Sequence, residues 1–446
     1  MPSTPTAVSA PGKVLLAGGY LVLDRQYTGL VFGLSARINV VAQEIKTSKG
    51  VQLSEIVVDS PQFLEARWRY GYHLASEDGG IKLTQLQSGS NISPNPFVEI
   101  TLAYALTYIT GHVKPPYAFD PVQFTILADN DYYSQPHSSA SSSPGIPARF
   151  AKFPTKLKDA HKTGLGSSAA LVTALTASIL TYYLPRSAFD LDTDQGKHTL
   201  HNLAQAAHCA AQGKVGSGFD VAAAVFGSCV YKRFSPSILR DLPEVGAPGF
   251  APALAACVDS ASGGWDTEVA KTGVSMPPGV ALRMCDVDCG SQTVGMVKKV
   301  LKWRDDTDPA GAKKLWDDLQ TRNTALGAVL SGARKDDIPE AVAKVRELVR
   351  AMGDASGVPV EPDSQKRLLD ALARVDGVYA GVVPGAGGFD ALALLVRDDA
   401  ATEGRVEAFL REWSREKGEK VKLLAVKGEM EGVRREALEQ YDGWLL

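Results

Sequence analysis

The stretch Lys162-Thr-Gly-Leu-Gly-Ser-Ser-Ala-Ala170 carries the clearest chemical signal in the chain. Its two glycines and two serines run into a segment with apolar residues at helical spacing (Leu171, Val172, Leu175, Ile179, Leu180) and no proline before Pro185. That pattern predicts unhindered backbone N–H groups at a helix N-terminus, whose partial positive charge and unpaired donors attract phosphate. Ser167 and Ser168 add hydroxyls able to cap the helix, hold a phosphate oxygen or ligate Mg2+. A plain N-cap explains the same residues without a ligand, because serine is favoured there. The chain holds no GxxxxGK[ST] and no GxGxxG opening a βαβ unit, so neither a P-loop nor a dinucleotide-binding Rossmann unit is expected.

Two other loops have the same ambiguity. In Ser9-Ala-Pro-Gly-Lys-Val-Leu-Leu16, Pro11 and Gly12 fix a turn and Lys13 projects from the start of a strand, where a lysine is ordinarily only a solvated end. In Val383-Pro-Gly-Ala-Gly-Gly-Phe-Asp390 the glycines supply unusual φ angles or permit the close approach of a ligand. A further segment, Gly213-Lys-Val-Gly-Ser-Gly-Phe-Asp220, leads into an alanine-rich helix. An acid at a helix start is favourable without chemistry, but a carboxylate on a buried element needs a partner.

These groups must be positioned by elements that the apolar pattern outlines. Short Val, Ile and Leu runs between glycines make strands of the first forty residues, residues 92–112 read as helix and Val122 to Leu127 as strand. The polar, breaker-rich Ser134 to Pro147 and the lysine-dotted stretch that follows it form either a solvated insertion or a lid. Helices are expected over Ser168 to Leu184, 198–212 and Asp220 to Val225, with candidate boundaries at Pro236 to Pro252 and Gly263 to Pro278. The last third runs as strand (Leu282 to Val287), helix (Gln292 to Trp303), more helices over 310–374, strands at Val378 to Val383 and Ala391 to Val396, a helix from Thr402 to Lys417 and a strand from Val421 to Val426. Without the extra helices this is the β-α-β-β-α-β order of ferredoxin-like domains. The expected fold is α+β with two lobes, divided as 1–245 and 246–446, and with 134–160 as the insertion.

Composition narrows the function. Of 446 residues, 45% are hydrophobic and 22% charged, the balance of a folded globular chain. The 47 basic and 50 acidic residues leave a net charge of −3, which argues against a nucleic-acid binder or a protein of anionic membranes. No apolar run reaches the roughly 20 residues of a membrane span, and Met-Pro-Ser-Thr-Pro-Thr does not read as a secretory signal. The five cysteines (Cys209, Cys229, Cys257, Cys285, Cys289) have no framework or CxxC spacing, so free thiols in the cytoplasm are expected and zinc is not.

Together and in this order the motifs resemble the superfamily of galactokinase, homoserine kinase, mevalonate kinase and phosphomevalonate kinase. Its first motif looks like Pro11-Gly-Lys-Val14, its second like Gly164-Leu-Gly-Ser-Ser-Ala169, its third like Gly385-Ala-Gly-Gly388. Gly18-Gly-Tyr-Leu-Val-Leu-Asp24, Lys214-Val-Gly-Ser-Gly-Phe-Asp220, Asp288-Cys-Gly-Ser-Gln-Thr293 and Gly357-Val-Pro-Val-Glu-Pro362 are similar to the fungal type of phosphomevalonate kinase. The resemblance implies a lobe like ribosomal protein S5 domain 2, then a ferredoxin-like lobe. It also implies transfer of the ATP γ-phosphoryl group to 5-phosphomevalonate with Mg2+, by a cytoplasmic monomer or homodimer that neither binds nucleic acid nor inserts in membranes. Related readings are a kinase for mevalonate, homoserine or a sugar, a diphosphomevalonate decarboxylase, and a non-catalytic sensor on the same fold.

By resemblance the catalytic pair is Lys13 and Asp220. The nucleotide side is Lys162, Gly164, Leu165, Gly166, Ser167, Ser168 and Ala169, and the substrate side is Gly19, Tyr20, Lys214, Ser217, Ser291, Thr293, Gly385, Ala386, Gly387 and Gly388. Magnesium falls to Ser168, with Asp220 the second candidate. One departure stands out: mevalonate kinases place a glutamate magnesium ligand a few turns before the aspartate, and here His201 to Phe219 contains no acid. The acceptor phosphate has a second pKa of about 6 and is largely dianionic near neutral pH. Asp220 is therefore expected to serve as partner to Lys13 or Mg2+ rather than as a base. Arg149, Lys152, Lys156, Lys158, Lys162 and Lys214 are the cations expected to steer the anionic substrates.

Overall fold

The computed structural model describes residues 4–46, 55–86, 92–113, 119–134, 149–259, 264–288 and 295–445. Two long antiparallel strands, β1 (Thr6–Ala17) and β2 (Gly29–Glu44), form its spine. Their register shifts between Pro11 and Gly12, where proline offers no N–H to the ladder. A side chain at Gly12 would stand 2.8 Å from the Leu165 carbonyl and 2.9 Å from the Tyr132 hydroxyl, so only glycine lets the second glycine loop come this close.

Beyond β2 the sheet continues through β6 (Val122–Ala128), β3 (Ile56–Asp59), β4 (Arg67–Leu74) and β5 (Ile81–Gln85). Four helices complete this lobe: α1 (Pro96–Thr110), α2 (Ser167–Tyr183), α3 (Asp194–Gln212) and α4 (Phe219–Phe226). Helix α2 is apolar around most of its circumference, as a helix packed against strands β1 and β2 and helices α1, α3 and α4 must be. On the other flank β7 (Cys229–Lys232) joins β2, and after α5 (Ser237–Arg240) and α6 (Phe250–Val258) comes β8 (Glu268–Ala270), which joins β7.

The expected division at 245 does not coincide with a break in packing. Gly246 and Ala251 donate to the carbonyls of Gly79 and Asp78 at 2.9 Å, and Phe250 meets Tyr104 edge to face. The chain leaves this lobe only after β8, within the second boundary that the sequence suggested.

The C-terminal lobe follows the expected order: β9 (Val280–Asp288), then α7 (Met296–Lys302), α8 (Pro309–Ser331), α9 (Ile338–Ser356) and α10 (Asp363–Leu372). After these come β10 (Val378–Val382), β11 (Ala391–Arg397), α11 (Ala400–Lys417) and β12 (Lys420–Glu429). The strands lie as β10-β11-β9-β12, all antiparallel, which is the ferredoxin-like arrangement. Leu368, Leu392, Leu394, Val406 and Leu410 form its own core. Helix α11 is closed by the Asp399 carboxylate on the Thr402 N–H and by Gly418 in the left-handed region.

Strand β12 also pairs with β2 at Gly428 and Glu429, so both lobes share one sheet. A final strand, β13 (Arg434–Arg435), returns to β1. Arg37, 1% exposed, fastens this return through Ser9, Glu429 and the Gly432 carbonyl. Arg149 and Lys152 belong to the same fastening rather than to a substrate site. The Arg149 guanidinium donates to Asp129 and Gln440 at 2.8 and 2.6 Å, and Lys152 lies over the Trp444 ring. The four described cysteines are buried free thiols, and no described helix is long and apolar enough to cross a membrane.

Candidate active site

The lysine of the first motif and the turn of the second are built around each other. The Lys13 N–H donates to the Leu165 carbonyl at 2.9 Å, bringing β1 against the loop. Gly166 caps α2 at φ 83°, and a Cβ there would stand 2.7 Å from Lys13 Cε and 2.9 Å from its Cγ. The lysine stem thus occupies the space the glycine leaves. Its Nζ donates to the Gly164 carbonyl at 3.4 Å and lies 5.5 Å from the centre of the Phe219 ring. Burial pulls the Lys13 ammonium below the ordinary lysine range, and the Asp220 carboxylate opposes that shift.

Asp220 stands in the first turn of α4, entered through Gly218 at φ 82°. Its Oδ1 accepts the Val221 N–H at 3.0 Å, and its Oδ2 lies 4.0 Å from His208 Nε2. His208, 2% exposed, also meets Ser168 Oγ at 3.2 Å, Gln212 Nε2 at 3.1 Å and the Phe97 ring. The sequence reading missed this residue. Its one signal was the missing acid between His201 and Phe219, and an imidazole holds the place between Ser168 and Asp220.

Ser167 and Ser168 begin α2 at the inner end of a cleft with Asn95, Phe97, Leu157 and Lys162. The cleft widens outward past Trp68 and Leu64 to Lys156 and Lys158. Two cations of the lysine-dotted stretch therefore line the outer part of this cleft, with Lys156 paired to Glu65 at 2.5 Å. Partial burial lowers the proton affinity of Lys162. Residues 135–148 of the expected lid lie outside the described residues, as do Ser291 and Thr293.

The other expected substrate residues form two further groups. Gly19 and Tyr20 abut the third glycine loop: a Cβ at Gly19 would meet the Gly385 carbonyl at 2.1 Å, and the Tyr20 hydroxyl donates to the Ala386 carbonyl at 2.6 Å. Tyr20 holds a φ of 66°, unusual for a bulky residue. A Cβ at Gly387 would stand 2.1 Å from the Val360 carbonyl, so its lack of a side chain serves chain-to-chain contact, and Gly388 donates its N–H to that carbonyl at 3.0 Å, whereas the space beside Gly385 is open. Lys214 and Ser217 sit on the loop after α3, which Arg233 holds by donating to the Val215 and Gly216 carbonyls. Lys214 is exposed at the rim of a cavity of about 630 Å³ lined by Tyr104, Cys209 and Val245.

For a metal, Ser168 Oγ and the Asp220 carboxylate offer hard oxygens that face the same nitrogen of His208, at 3.2 and 4.0 Å from Nε2. No cluster of three or more His, Cys, Asp or Glu occurs among the described residues. Two protein oxygens suit Mg2+, which keeps water and phosphate ligands, and not zinc.

The chain as a whole is similar to known proteins. Residues 151–228 match the model of the GHMP kinases N terminal domain. The chain is 64% identical over 442 residues to the phosphomevalonate kinase of Gibberella zeae, covering 98% of each chain. It is 44% identical over 489 residues to that of Aspergillus fumigatus, covering 100% of this chain and 99% of the relative. Among solved structures, a Streptococcus pneumoniae phosphomevalonate kinase in complex with phosphomevalonate and AMPPNP superimposes with a TM-score of 0.61. It is 16% identical, over 95% of this chain and 99% of that one.

Proposed function

The chain belongs to the phosphomevalonate kinase family, and on that premise we propose how its residues divide the work. It catalyses the ATP-dependent phosphorylation of 5-phosphomevalonate in the mevalonate pathway, with ATP and Mg2+. The observation that carries the assignment of roles is the Lys13 side chain laid across Gly164 and Gly166, with the Asp220 helix facing it.

In this reading the ATP phosphates lie over the N-terminus of α2. Its first N–H groups, at Ser167, Ser168 and Ala169, point at them, and Gly164, Leu165 and Gly166 set the curve of the loop. The base and ribose run outward along the cleft past Phe97 and Trp68, with Lys162 nearer the anionic end and Lys156 and Lys158 at the outer rim. Ser168 and Asp220 would hold Mg2+, which supplies charge neutralisation on the phosphate oxygens. Lys13 sits where the two phosphates meet and offsets their repulsion, which is about 4 kcal/mol between unit charges 4 Å apart at an effective dielectric of 20. The dianionic acceptor needs no base, so Asp220 serves as the counter-charge of Lys13.

The acceptor is held by Lys214 and Ser217 on one side and by Gly19, Tyr20 and Gly385, Ala386, Gly387 and Gly388 on the other, joined by Ser291 and Thr293. The N-terminal lobe, which runs through β8, then carries the nucleotide and most of the acceptor, and the C-terminal lobe closes the site through the third glycine loop. The enzyme works as a cytoplasmic monomer or homodimer, which light scattering and a fluorescent fusion would test.

Coupled ADP release with 5-phosphomevalonate, mevalonate and homoserine, together with a bicarbonate readout, tests the specificity. Turnover should appear with 5-phosphomevalonate alone and without CO2. Turnover with mevalonate at a comparable kcat/KM would overturn it.

A further inference from the structure

We propose that His208 is a positioning residue that aims the Ser168 hydroxyl, with Gln212 setting its tautomer; this rests on the reading of Ser168 and Asp220 given above. His208 and Gln212 lie one turn apart on α3, and the imidazole is enclosed by Phe97 of α1, Ser168 of α2 and Asp220 of α4. A polar ring buried this deeply is stable only if its nitrogens are satisfied. The Gln212 amide nitrogen faces Nε2 at 3.1 Å. An amide N–H only donates, so Nε2 offers a lone pair and Nδ1 carries the ring hydrogen. The same lone pair meets Ser168 Oγ at 3.2 Å, so the serine hydrogen turns toward it and shares it with the Gln212 amide.

With its hydrogen turned inward, Ser168 presents lone pairs to the cleft it lines with Ser167 and Lys162. An oxygen so fixed accepts and cannot donate, so it suits a cation and not a phosphate oxygen. Asp220 Oδ2, 4.0 Å from the same bare nitrogen, receives no hydrogen from it and stays available to the same cation. The triad His208, Gln212 and Ser168 therefore separates two tasks at one helix end: backbone N–H groups take phosphate, and the Ser168 oxygen takes Mg2+.

The test compares His208→Leu, His208→Gln, Gln212→Leu, Ser168→Ala and the double variant Ser168→Ala/His208→Leu in the full-length enzyme. Each is measured for kcat, KM, half-saturating Mg2+ and, by calorimetry, affinity for MgADP. Removing the acceptor in His208→Leu should lower kcat about 10- to 100-fold, the range for losing a residue that orients a metal ligand. Affinity for MgADP should fall with it, and KM for 5-phosphomevalonate should stay within about twofold. His208→Gln, whose carbonyl can accept the same hydrogen, should recover most of the loss. The double variant should be no slower than Ser168→Ala, because the two residues act as one unit. Multiplying losses, or equal defects in His208→Leu and His208→Gln, would overturn the positioning role while leaving Ser168 as a ligand. Full activity in Ser168→Ala would instead overturn the underlying reading. Gln212→Leu leaves the imidazole in place and should raise half-saturating Mg2+ several-fold; an unchanged value also counts against the proposal, even if His208→Leu does not fold.

Discussion

Gly166→Ala isolates the contribution of the position of Lys13 from that of its charge. The added methyl would stand 2.7 Å from Lys13 Cε and 2.9 Å from Cγ. Carbon atoms rest about 3.5–4.0 Å apart, so the stem must move by about an ångström and the ammonium at its end by more. Between unit charges at an effective dielectric of 20, separation from about 4 to about 6 Å lowers the attraction from about 4.2 to about 2.8 kcal/mol. The loss of about 1.4 kcal/mol is about tenfold in kcat if the ammonium acts on the transferring phosphoryl group. The substitution also places a side chain at φ 83°, which costs roughly 1 kcal/mol of stability. Gly357→Ala supplies the control: it has φ 64° at the end of α9, with nothing within 4 Å of the new methyl. Both variants should lose comparable thermal stability in a melting scan, and only Gly166→Ala should lose kcat in the coupled ADP assay. Equal melting losses with kcat intact in Gly166→Ala would refute the claim that the placement of Lys13 matters to transfer.

Removing the charge outright in Lys13→Met should cost about 10²- to 10³-fold in kcat, and a loss below about tenfold would remove Lys13 from the mechanism. Burial lowers the Lys13 pKa in the free enzyme, so the alkaline limb of kcat/KM for wild type should begin below the ordinary value of about 10.4, and Lys13→Arg should shift that limb upward. The sign for stability is opposite: between the folded and unfolded pKa values the unfolded chain binds the extra proton, so this group's contribution rises with pH, and a melting series lacking any difference from Lys13→Met there would contradict it. Lys156→Ala should raise KM for ATP several-fold and leave KM for 5-phosphomevalonate within about twofold, because its cleft runs to Ser167 and Ser168. Arg37→Met leaves Glu429 and Glu436 beside a buried gap and should destabilise by about 3–5 kcal/mol in denaturant unfolding; a loss under about 1 kcal/mol would mean the tail is not fastened there.

What the sequence conveyed and what it hid divide along the range of the interactions. The ferredoxin order, the helix after Ser167 and the glycine turns are written in local periodicity and backbone freedom, and their boundaries fall within a few residues of those read from the chain. The convergence of Lys13 with Gly164 and Asp220 had no local signature; it became readable through the order of three motifs. Beyond the missing acid, His208 had no signal for a physical reason, since a histidine among Leu200, Leu203, Ala204 and Ala207, on a helix with two others, has the pattern of a core residue. Arg149 was misread because nearness in sequence to a motif says nothing about which carboxylate a guanidinium reaches. Its partner Gln440 lies in a tail that returns to β1 across the whole chain. The glycines of the third loop were ambiguous for a related reason: close approach of a ligand and close approach of the Val360 carbonyl make the same demand.

The electrostatics of the site follow from what both substrates bring. Each is a phosphate anion, and bringing two together is opposed unless positive charge lies ready between them. A lysine left in water would be solvated, and its charge worth little at the moment of transfer. Laid across two glycines and partly buried, the Lys13 ammonium has lost water and gained the Asp220 carboxylate, the face of the Phe219 ring and a long contact to Gly164. The free site therefore carries an under-solvated cation, held in its charged form in part by Asp220. Arrival of the phosphates supplies the missing partners and raises the proton affinity of Lys13 again. A stronger acid pair around the lysine would satisfy it before substrate came and repel the acceptor as well. Asp220 is thus best understood as enough negative charge to keep the ammonium charged and oriented, and too little to compete with two phosphates for it.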